Sequence, residues 1–528
     1  MSMPLIEPMT PAFASYLSDE SRTQGQAEYI AFPRSEEEIA QVLRWCAQHG
    51  VPVTAQGGMT GLAGGASPQG GLALNLSRMD RILGLRRDSA GTWLLRVQPG
   101  VRLLQVRKAL KEKSFQISQW DEASVAALRD FRPGEAFFSP DPTETTASIG
   151  GMAACNASGA RSYLYGATRT KIHALRVVLT DGSVTALERG VHRARDREAL
   201  LPLTDGGTRR VLLPEFETPP IKDAGFYLRR DMDLVDLFMG SQGLFGIISE
   251  LELELTPSPA LLWGVTAFLP DHAAALRYVR ALKGQEGAPL PDRPAAIEFF
   301  DRRALRLVEE QKAETPAFRQ LQELPEDYNC AVYAEFNPRD PSLFLPTLSA
   351  LSDTLRRLGG DPERTWVARN ERELEKLLFF RHTVPETIDL IVEKNRKNDP
   401  CITILSTDMA VDDAHFETLF HRYERDLDAC NMPCLLFGHI GENHVHPNLL
   451  ARTREEWERG HRLFEEWAAF VASMGGTITA EHGAGKIKRK LEAIMMGPEK
   501  MAQLWELKRQ LDPQLLLGPG NVLTEVEQ

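Results

Sequence analysis

Two short segments near the end of the chain hold the side chains best suited to bind a metal ion. The segment G-H-I-G-E-N-H-V-H-P-N carries His439, His444 and His446, and the segment T-A-E-H-G-A-G-K carries Glu481 and His482. Two imidazoles and a carboxylate bind zinc, manganese or ferrous iron and leave coordination positions open. The group therefore predicts a divalent-metal site, although each histidine taken alone is more often an ordinary surface or core residue.

The three histidines need a local structure that brings them together. His444 and His446 are two residues apart, so on a strand they share one face. His439 has to reach them across a turn, which Gly441 makes possible. We therefore expect a turn between His439 and the two later histidines.

Three glycine-rich stretches in the first half of the chain favour binding of a flat, phosphate-bearing cofactor. Of the forty glycines, seven fall within 57–71, four within 150–166 and three within 240–246. In the first stretch successive backbone N–H groups can converge on one point without interference from side chains, as a pyrophosphate requires. The first stretch is neither a P-loop nor a strict G-x-G-x-x-G motif, and taken alone it is equally a flexible surface loop.

The order and spacing of these stretches over residues 26–258 resemble the FAD-binding domain of the vanillyl-alcohol-oxidase-like (p-cresol-methylhydroxylase-type) flavoproteins. The stretches resemble G-G-G-T-G-L-x-G-G-A, P-D-P followed by T-I-G-G-x-x-A-x-N-A-x-G, and G-S-E-G-T-L-G-I-I. The resemblance implies a two-part α+β domain in which the first stretch holds the pyrophosphate. The other two then lie along the ribityl chain, the adenosine part and the flavin.

The resemblance also implies which residues contact FAD. In the three stretches these are Gln56, Gly57, Gly58, Met59, Thr60, Gly61, Leu62, Pro140, Asp141, Ser148, Ile149, Gly150, Gly151, Ala154, Asn156, Ser158, Gly159, Gly166, Gly246, Ile247 and Ile248. Some members attach flavin covalently through a histidine near the position of Met59 and Thr60. This chain has no histidine there, so we expect noncovalent FAD. In the third stretch Gln242 and Leu244 replace the family's Glu and Thr, which puts side-chain contacts there in doubt.

The histidine segments resemble the C-terminal domain of the FAD-linked D-2-hydroxyacid dehydrogenases, the D-lactate, glycolate and D-2-hydroxyglutarate group. The family motifs G-H-x-G-D-G-N-x-H-x-N and E-H-G-x-G align with the two segments, with Glu442 and Asn443 in place of the family's Asp and Gly. Through these matches His439, His446 and Glu481 are implied to be metal ligands, with zinc the expected metal and manganese or iron open. His482 is implied to be the proton acceptor, and Asn448 a contact to the substrate carboxylate.

Three positions depart from this family or extend the match. His444 stands where the family has Asn, so it is an extra ligand, a neighbour of the ligands, or neither. Arg381, in L-L-F-F-R-H-T-V-P-E-T, is expected at the end of a helix and resembles the family's substrate arginine, whose fork matches a carboxylate. A solvated helix-end arginine is the alternative. The segment 406–408 lacks the Lys of the family's Lys-x-Asp, so a second substrate carboxylate is not provided for.

Hydrophobic patterns predict the elements that position these residues. A capping box starts at Ser35 and Gly50 ends the helix that follows. A charged, irregular stretch at 186–236 is expected to form surface excursions. Further strands are expected at 51–54, 72–76, 173–180, 247–255, 262–268, 330–336 and 401–409, and further helices at 103–113, 273–282, 343–358, 371–380, 413–430 and 453–474.

The second half of the chain mixes strands and amphipathic helices, which indicates an α+β substrate (cap) domain with an antiparallel sheet. Pro257 and Pro259 mark the boundary before it. We expect an N-terminal extension over 1–25, the FAD-binding domain over 26–258 and the substrate and metal domain over 259–528. Near the end, L-D-P-Q-L-L-L-G-P-G-N-V-L resembles the family's D-P-x-x-x-L-N-P-G-K. This match implies that 512–524 returns to the flavin, with Asn521 in place of the family's Lys.

Composition limits the partners and the compartment. The 528 residues carry a net charge of -12, which argues against a nucleic-acid partner. Of six cysteines only Cys430 and Cys434 are close, so a cysteine-built zinc or iron–sulfur site is not expected. The N-terminus lacks a secretory signal and no apolar run is long enough to span a membrane. A cytoplasmic protein is expected, with a homodimer and a peripheral contact at the inner face of the membrane left open.

The resemblance implies oxidation of a small D-lactate-like 2-hydroxy acid to the 2-oxo acid, with hydride transfer to FAD. Metal binding lowers the pKa of the substrate hydroxyl, His482 removes its proton, and Arg381 and Asn448 orient the carboxylate. The electrons then pass to an external quinone, cytochrome or electron-transfer flavoprotein. The alternatives are a flavin oxidase or non-redox flavoenzyme of the alkylglycerone-phosphate synthase type, a metal-dependent hydrolase, and a noncatalytic FAD-binding subunit.

Overall fold

A computed structural model of the chain describes residues 5–314, 316–320, 323–325 and 327–524. These residues form two compact units. Unit 1 comprises the chain up to Gly159, Gly166–Ser258 and the chain from Thr479 onward, and unit 2 comprises Ala160–Tyr165 and Pro259–Ile478. The chain thus leaves unit 1 between the two prolines expected at the boundary. It returns at Thr479, well before residue 512.

Most of the strands in the described part of the chain are short. The strands are β1 (Ile6–Pro8), β2 (Tyr29–Ala31), β3 (Val53–Gln56), β4 (Leu72–Asn75), β5 (Ile82–Arg87), β6 (Trp93–Val97), β7 (Ala136–Phe137), β8 (Ile172–Val178), β9 (Val184–Glu188), β10 (Glu198–Pro202), β11 (Thr208–Leu212), β12 (Ile247–Glu254), β13 (Thr256–Pro257), β14 (Trp263–Leu269), β15 (Pro294–Asp301), β16 (Cys330–Phe336), β17 (Trp366–Ala368), β18 (Leu405–Ser406), β19 (Cys434–His439) and β20 (His444–Leu449).

The helices range from single turns to long amphipathic segments. They are α1 (Glu36–His49), α2 (Leu103–Glu112), α3 (Glu122–Asp130), α4 (Ile149–Ala154), α5 (Ser162–Tyr165), α6 (His272–Leu282), α7 (Arg302–Glu314), α8 (Phe344–Arg357), α9 (Glu371–Arg396), α10 (Phe416–Ala429), α11 (Arg454–Ser473) and α12 (Arg489–Leu511). None of the helices in the described part of the chain is long and apolar enough to span a bilayer.

The first sheet of unit 1 has the order β1-β2-β4-β3, with parallel pairing of β4 to both β2 and β3. Helix α1 begins as the capping box predicts, because the Ser35 hydroxyl accepts a hydrogen bond from the Glu38 N–H. The Glu38 carboxylate bonds the N–H of Arg34, one residue before the cap. Gly50 ends the helix with a φ of 64°. Since β1 pairs with β2, described residues of the expected N-terminal extension belong to this sheet.

The second sheet of unit 1 is antiparallel, in the order β5-β6-β12-β8-β9. The strands expected at 173–180 and 247–255 are its central pair, with Ile247 opposite Val178. The expectation that 186–236 is irregular surface is wrong in part. Strands β10 and β11 form a hairpin there, and Ala199, Leu201 and Val211 are fully buried. The apolar alternation is hard to recognise in the sequence because arginines lie within the same stretch.

The final segment of the chain packs into unit 1. Helix α12 buries Leu504, Leu507 and Leu511 in the same core as the second sheet. Lys508, 2% exposed, donates from its ammonium group to the carbonyls of Leu244 and Leu517 and to the Asp512 carboxylate. A buried ammonium needs such partners because its desolvation is costly. These contacts, all within unit 1, tie α12 and the segment after it to the glycine-rich part of that unit.

Unit 2 contains the antiparallel sheet expected from its mixed strands and helices. Its order is β17-β14-β16-β15-β19-β20-β18, and every residue of β14, β15, β16 and β20 is buried. Helices α7 and α9 contribute to the core cluster on the sheet. The strand expected at 401–409 is wrong in extent, because only Leu405 and Ser406 pair with β20.

Helix α9 runs past the point at which the sequence predicts its end. The expected helix stops at Phe380, but α9 continues through Pro385 to Arg396. A proline inside a helix costs about 3 kcal/mol, whereas burial of each large apolar side chain contributes roughly 1.5–3 kcal/mol. Val384, Ile388 and Val392 continue the buried stripe of α9, so packing outweighs the proline.

Candidate active site

The three histidines lie on one β-hairpin of unit 2. Strand β19 ends at His439, a 3-10 turn follows at Ile440–Glu442, and β20 begins at His444. His439 is directly opposite His444 in the register, and His446 follows two residues later. The ring centroids of His444 and His446 are 4.3 Å apart, which confirms that these two residues share a face.

The hairpin forms a group of imidazoles able to hold a metal ion. Each ring offers a nitrogen, and these nitrogens lie within 4.8 Å of one another. The residues are nearly inaccessible, with exposed fractions of 8% for His439, 0% for His444 and 6% for His446. Imidazoles in this arrangement suit zinc, manganese or iron. His444, whose role the motif leaves open, is a member of the group.

The turn between the histidines contains Gly441, as expected, and ends at Asn443. Asn443 takes the left-handed conformation, with a φ of 57°, and Lys283 and Asp413 hydrogen bond its side chain. Gly441 lies inside the turn, where a Cβ atom would lie 3.0 Å from Cβ of Ile297 and 3.2 Å from the ring of Tyr163. The absence of a side chain at Gly441 therefore allows the turn to pack, as expected.

A buried glutamate that the sequence analysis missed organises the site. Glu298, on β15, is 2% exposed. It accepts a hydrogen bond from Nδ1 of His439 at 2.6 Å and another from Nε of Arg381 at 3.0 Å. Burial raises the pKa of Glu298, but the charges of Arg381 and His439 and their hydrogen bonds outweigh burial and lower it to about 2. A glutamate inside the apolar run P-A-A-I-E-F-F was the only available signal in the sequence.

The segment 406–408 supplies partners for the other two histidines. Nδ1 of His446 is 2.8 Å from the carbonyl oxygen of Thr407, and Nε2 of His444 is 3.2 Å from a carboxylate oxygen of Asp408. Asp408 is 2% exposed. The hydrogen bond to Thr407 fixes which ring nitrogen of His446 carries the proton and so which one is available to a metal. This segment therefore serves the histidines, although the family's lysine is missing.

Arg381 and Asn448 both belong to unit 2. Arg381 lies inside α9 and its side chain is 15% exposed, so the prediction of a helix-end position is wrong. The alternative of a solvated helix-end arginine is wrong for the same reason. Arg381 and His439 both hydrogen bond the carboxylate of Glu298. Asn448 lies on β20, is 2% exposed, and donates its amide to the carbonyl of His446 at 2.8 Å.

In unit 1 the first two glycine-rich stretches meet at Ser148. The Ser148 hydroxyl caps α4 and accepts a hydrogen bond from the Gly58 N–H at 3.0 Å. A Cβ atom at Gly57 would lie 2.3 Å from this hydroxyl, and one at Gly58 would lie 3.0 Å from the Ser148 nitrogen. The close approach excludes side chains and leaves a loop of bare backbone.

The third stretch and the final segment join the same region. The Gln242 N–H donates to the carbonyl of Ala154 at 2.8 Å, and its side-chain oxygen accepts from the Gly485 N–H at 2.7 Å. The Asn521 amide donates to the carbonyls of Gly65 and Gln242. All three stretches and the end of the chain therefore share one hydrogen-bonded network in unit 1.

Two buried polar atoms in this network test whether a ligand fits there. Within the described ranges, neither Oγ of Ser158 nor Nε2 of Gln242 has a hydrogen-bond partner, although these residues are 2% and 9% exposed. Buried polar groups are nearly always hydrogen-bonded, so such atoms suit a polar ligand. Together with the bare backbone at Gly57 and Gly58, they fit a cofactor such as FAD.

The structure places the other expected site residues as follows. The side chain of Asn156 makes two hydrogen bonds within unit 1. Its amide nitrogen donates to the carbonyl of Asp223, and its amide oxygen accepts from the Arg169 N–H. Glu481 and His482 lie in unit 1 just after Thr479, and both are half-buried. The remaining residues matched to FAD also lie in unit 1, namely Gln56, Met59, Thr60, Gly61, Leu62, Pro140, Asp141, Ile149, Gly150, Gly151, Ala154, Gly159, Gly166, Gly246, Ile247 and Ile248.

Comparison with known proteins extends these observations to both halves of the chain. The model of an FAD binding domain matches residues 27–129 and 132–188. The model of the C-terminal domain of FAD linked oxidases matches residues 264–522.

Two full-length relatives agree with these matches. Glycolate oxidase subunit GlcD from Bacillus subtilis (strain 168) is 26% identical, with 95% of this chain and 90% of the relative covered. A D-lactate dehydrogenase from Anaerostipes hadrus is 24% identical, with 96% and 92% covered.

Among solved structures, alkyldihydroxyacetonephosphate synthase has the same fold. The match covers 98% of this chain and 83% of that one, with a TM-score of 0.63 and 14% sequence identity. At that identity the likeness concerns the fold alone. With an FAD binding domain followed by the matching C-terminal domain, the chain belongs to the FAD-linked oxidases and is an FAD-linked oxidoreductase.

Proposed function

We propose that this protein oxidises a small D-2-hydroxy acid of the D-lactate type to the 2-oxo acid, with bound FAD as the hydride acceptor. The observation that carries the proposal is the position of Glu298. It hydrogen bonds both a histidine of the metal-binding group and Arg381. A metal-binding imidazole and a carboxylate-binding cation are thus held by the same carboxylate, as a substrate with adjacent hydroxyl and carboxylate groups requires.

We propose His439, His446 and Glu481 as the ligands of a divalent metal, with zinc favoured over manganese and iron. The support in unit 2 is that Nδ1 of His439 and Nδ1 of His446 are each bonded to oxygen, which leaves Nε2 of each ring to donate to a metal. Glu481 enters through the family motif. When bound, the metal lowers the pKa of a coordinated hydroxyl.

The protein's own groups then position the substrate and take its proton. His482, assigned through the match to E-H-G-x-G, accepts the hydroxyl proton. Arg381 pairs with the carboxylate through its guanidinium, whose orientation Glu298 fixes, and Asn448 adds an amide contact. FAD is held noncovalently by the residues matched above. The absence of a second cationic side chain at 406–408 favours a monocarboxylate.

We further propose that the electrons leave through an external quinone, cytochrome or electron-transfer flavoprotein. The dehydrogenase name of one relative supports this, whereas the oxidase name of the other is the reason to test reaction with oxygen as well. We also propose a cytoplasmic location, with contact at the inner face of a membrane if the acceptor is a quinone. A homodimer is compatible with it.

The test is anaerobic mixing with D- and L-2-hydroxy acids, followed at the flavin absorbance with and without a chelator. We expect bleaching by D-acids only, and loss of bleaching after metal removal. Bleaching that survives chelation would remove the metal from the scheme. Rapid peroxide release in air would favour a flavin oxidase. A colourless protein that hydrolyses esters or amides would favour a metal-dependent hydrolase.

Replacement of the proposed base separates binding from chemistry. We expect His482→Ala to retain FAD and to reduce it about 10²–10⁴-fold more slowly, the usual contribution of a general base. His421→Ala, at an exposed position of α10, is the matched control and should react at the parent rate. Parent-rate flavin reduction in the His482 variant in a stopped-flow measurement would show that another group accepts the proton.

A further inference from the structure

Two cysteines of unit 2 form a thiol pair that the proposed reaction does not use. Cys430 follows the last residue of α10, and Cys434 is the first residue of β19. Both sulfurs approach the same carbonyl oxygen, that of Leu427, at 3.2 Å from Cys430 and 3.5 Å from Cys434. The sharp turn between them contains Asn431 with a φ of 51°. The chain therefore folds back so that the two thiols face each other.

Two arginines lie beside the thiol pair, and one of them, Arg303, also pairs with Asp428 and Asp301. A guanidinium nitrogen of Arg303 lies 3.4 Å from the sulfur of Cys434, and Arg459 donates a hydrogen bond to the carbonyl of Cys430 at 3.1 Å. The hydrogen bond from Cys434 and these arginines lower the pKa of Cys430, and the same thiol–thiol bond raises that of Cys434. These shifts favour ionisation of Cys430 over ionisation of Cys434.

The pair also lies where a small reagent can reach it. Cys430 and Cys434 are half-buried, whereas Cys46 and Cys330 are fully buried. Asn431 and Pro433, in the turn between the paired cysteines, are exposed. Thiolate character together with access marks a cysteine as reactive, whereas buried structural cysteines are inert. The nearby arginines disfavour a metal cation at this position, so oxidation is the chemistry that the environment supports.

We propose that Cys430 and Cys434 are a site of reversible oxidation, at which hydrogen peroxide converts the two thiols into an intramolecular disulfide. The Cys430 thiolate attacks a peroxide oxygen, the O–O bond breaks, and the released hydroxide takes up a proton to form water. Cys434 then attacks the resulting sulfenic sulfur, the S–O bond breaks, and its proton leaves with the second water. The two thiols lose two electrons and two protons, which the peroxide takes up as it is reduced.

The test counts free thiols in one peptide of the full-length protein. Cleavage after Arg425 and Arg452 releases a peptide that contains Cys430 and Cys434 and no other cysteine. After mild hydrogen peroxide treatment, we expect this peptide to lose both alkylatable thiols and to become lighter by two hydrogens. Dithiothreitol should restore both. The alkyl groups are counted because Met432 lies in the same peptide, and its oxidation changes the mass of the peptide without consuming a thiol.

Matched variants make the result decisive. Cys430→Ser and Cys434→Ser should each abolish the disulfide, whereas Cys401→Ser, at a half-buried cysteine beside Arg454, should leave it unchanged. A treated peptide that still takes two alkyl groups would overturn the proposal. So would sulfenic or sulfinic acids without a disulfide, or a cross-link from Cys430 to another cysteine. Because the readout is a mass, the outcome is independent of whether the protein oxidises hydroxy acids.

Discussion

At the scale of single residues, the site depends on carboxylates and carbonyls behind the expected functional groups. Glu298 and Thr407 are not part of the family motifs, whereas Asp408 matches the Asp of the family's Lys-x-Asp, and each of the three lies beside one of the histidines. A carboxylate that accepts the proton of one ring nitrogen fixes the tautomer and raises the basicity of the other nitrogen. The histidines are suited to a metal because of these partners as much as their own positions.

Glu298→Gln tests this role directly. The amide removes the negative charge that orients His439 and Arg381, so we expect metal affinity to fall about 10–100-fold and KM for the hydroxy acid to rise. Metal content after dialysis and steady-state kinetics measure the two effects.

Glu335→Gln is the matched control for Glu298→Gln. Glu335 is also a buried carboxylate of the same sheet, on β16, but it pairs with Arg161. Equal metal loss in both variants would mean that Glu298 acts only through the stability of the sheet.

At the scale of elements, the β19–β20 hairpin and α9 do the positioning. The hairpin places the three histidines by strand register, and α9 presents Arg381 from its interior. Pro385, one turn beyond Arg381, has no backbone N–H to donate along the helix. The helix therefore retains a local weakness beside the proposed carboxylate-binding residue.

Pro385→Ala should stabilise the protein. The substitution restores a helical N–H and removes the clash of the ring. Removal of a helical proline saves about 3 kcal/mol, but the unfolded chain with alanine has more conformational entropy than the unfolded parent. We therefore expect a net gain of about 2 kcal/mol in the free energy of unfolding. Glu386→Ala, an exposed neighbour on α9, should change stability by less than about 0.5 kcal/mol. A lower midpoint for Pro385→Ala in thermal unfolding would show that the proline is required by its surroundings.

At the scale of the whole molecule, the segment from Thr479 onward belongs to unit 1, together with the first part of the chain. This segment contains Glu481, His482 and α12, with Lys508 buried among its oxygen partners. Glu492, also on α12, is 1% exposed. Burial and the charge of Asp223 raise the pKa of Glu492 to about 8.

The stability of the protein should therefore depend on pH through Glu492. Between the ordinary value of 4.5 and about 8, the folded chain keeps the proton of Glu492 and the unfolded chain releases it. The folded state binds more protons in this range, so the free energy of unfolding falls as pH rises and levels off above pH 8.

Glu492→Gln should remove this slope and stabilise the protein at pH 8 by roughly 3–5 kcal/mol. Glu499→Gln, at an exposed position of the same helix, should keep the slope of the parent. Urea unfolding at several pH values measures the effect. The same slope in the Glu492 variant would mean that this carboxyl is ionised in the folded protein.

The sequence by itself determined the α+β class, the antiparallel sheet of unit 2 and the strand face shared by His444 and His446. These features follow from local rules, such as the two-residue period of a strand and the spacing of small residues in a loop. The capping box at Ser35 and the boundary near Pro259 follow from equally local rules.

Only the tertiary structure decided which distant groups complete the site. The contact of Glu298 with His439 spans 141 residues, and no local pattern encodes it. Arg381 was misplaced because packing of a long apolar stripe overrides a proline, and the turn at Gly441 was predicted without the left-handed conformation of Asn443 that ends it. Local periodicity therefore predicts elements, whereas the partners that hold charges in a buried site depend on how those elements pack.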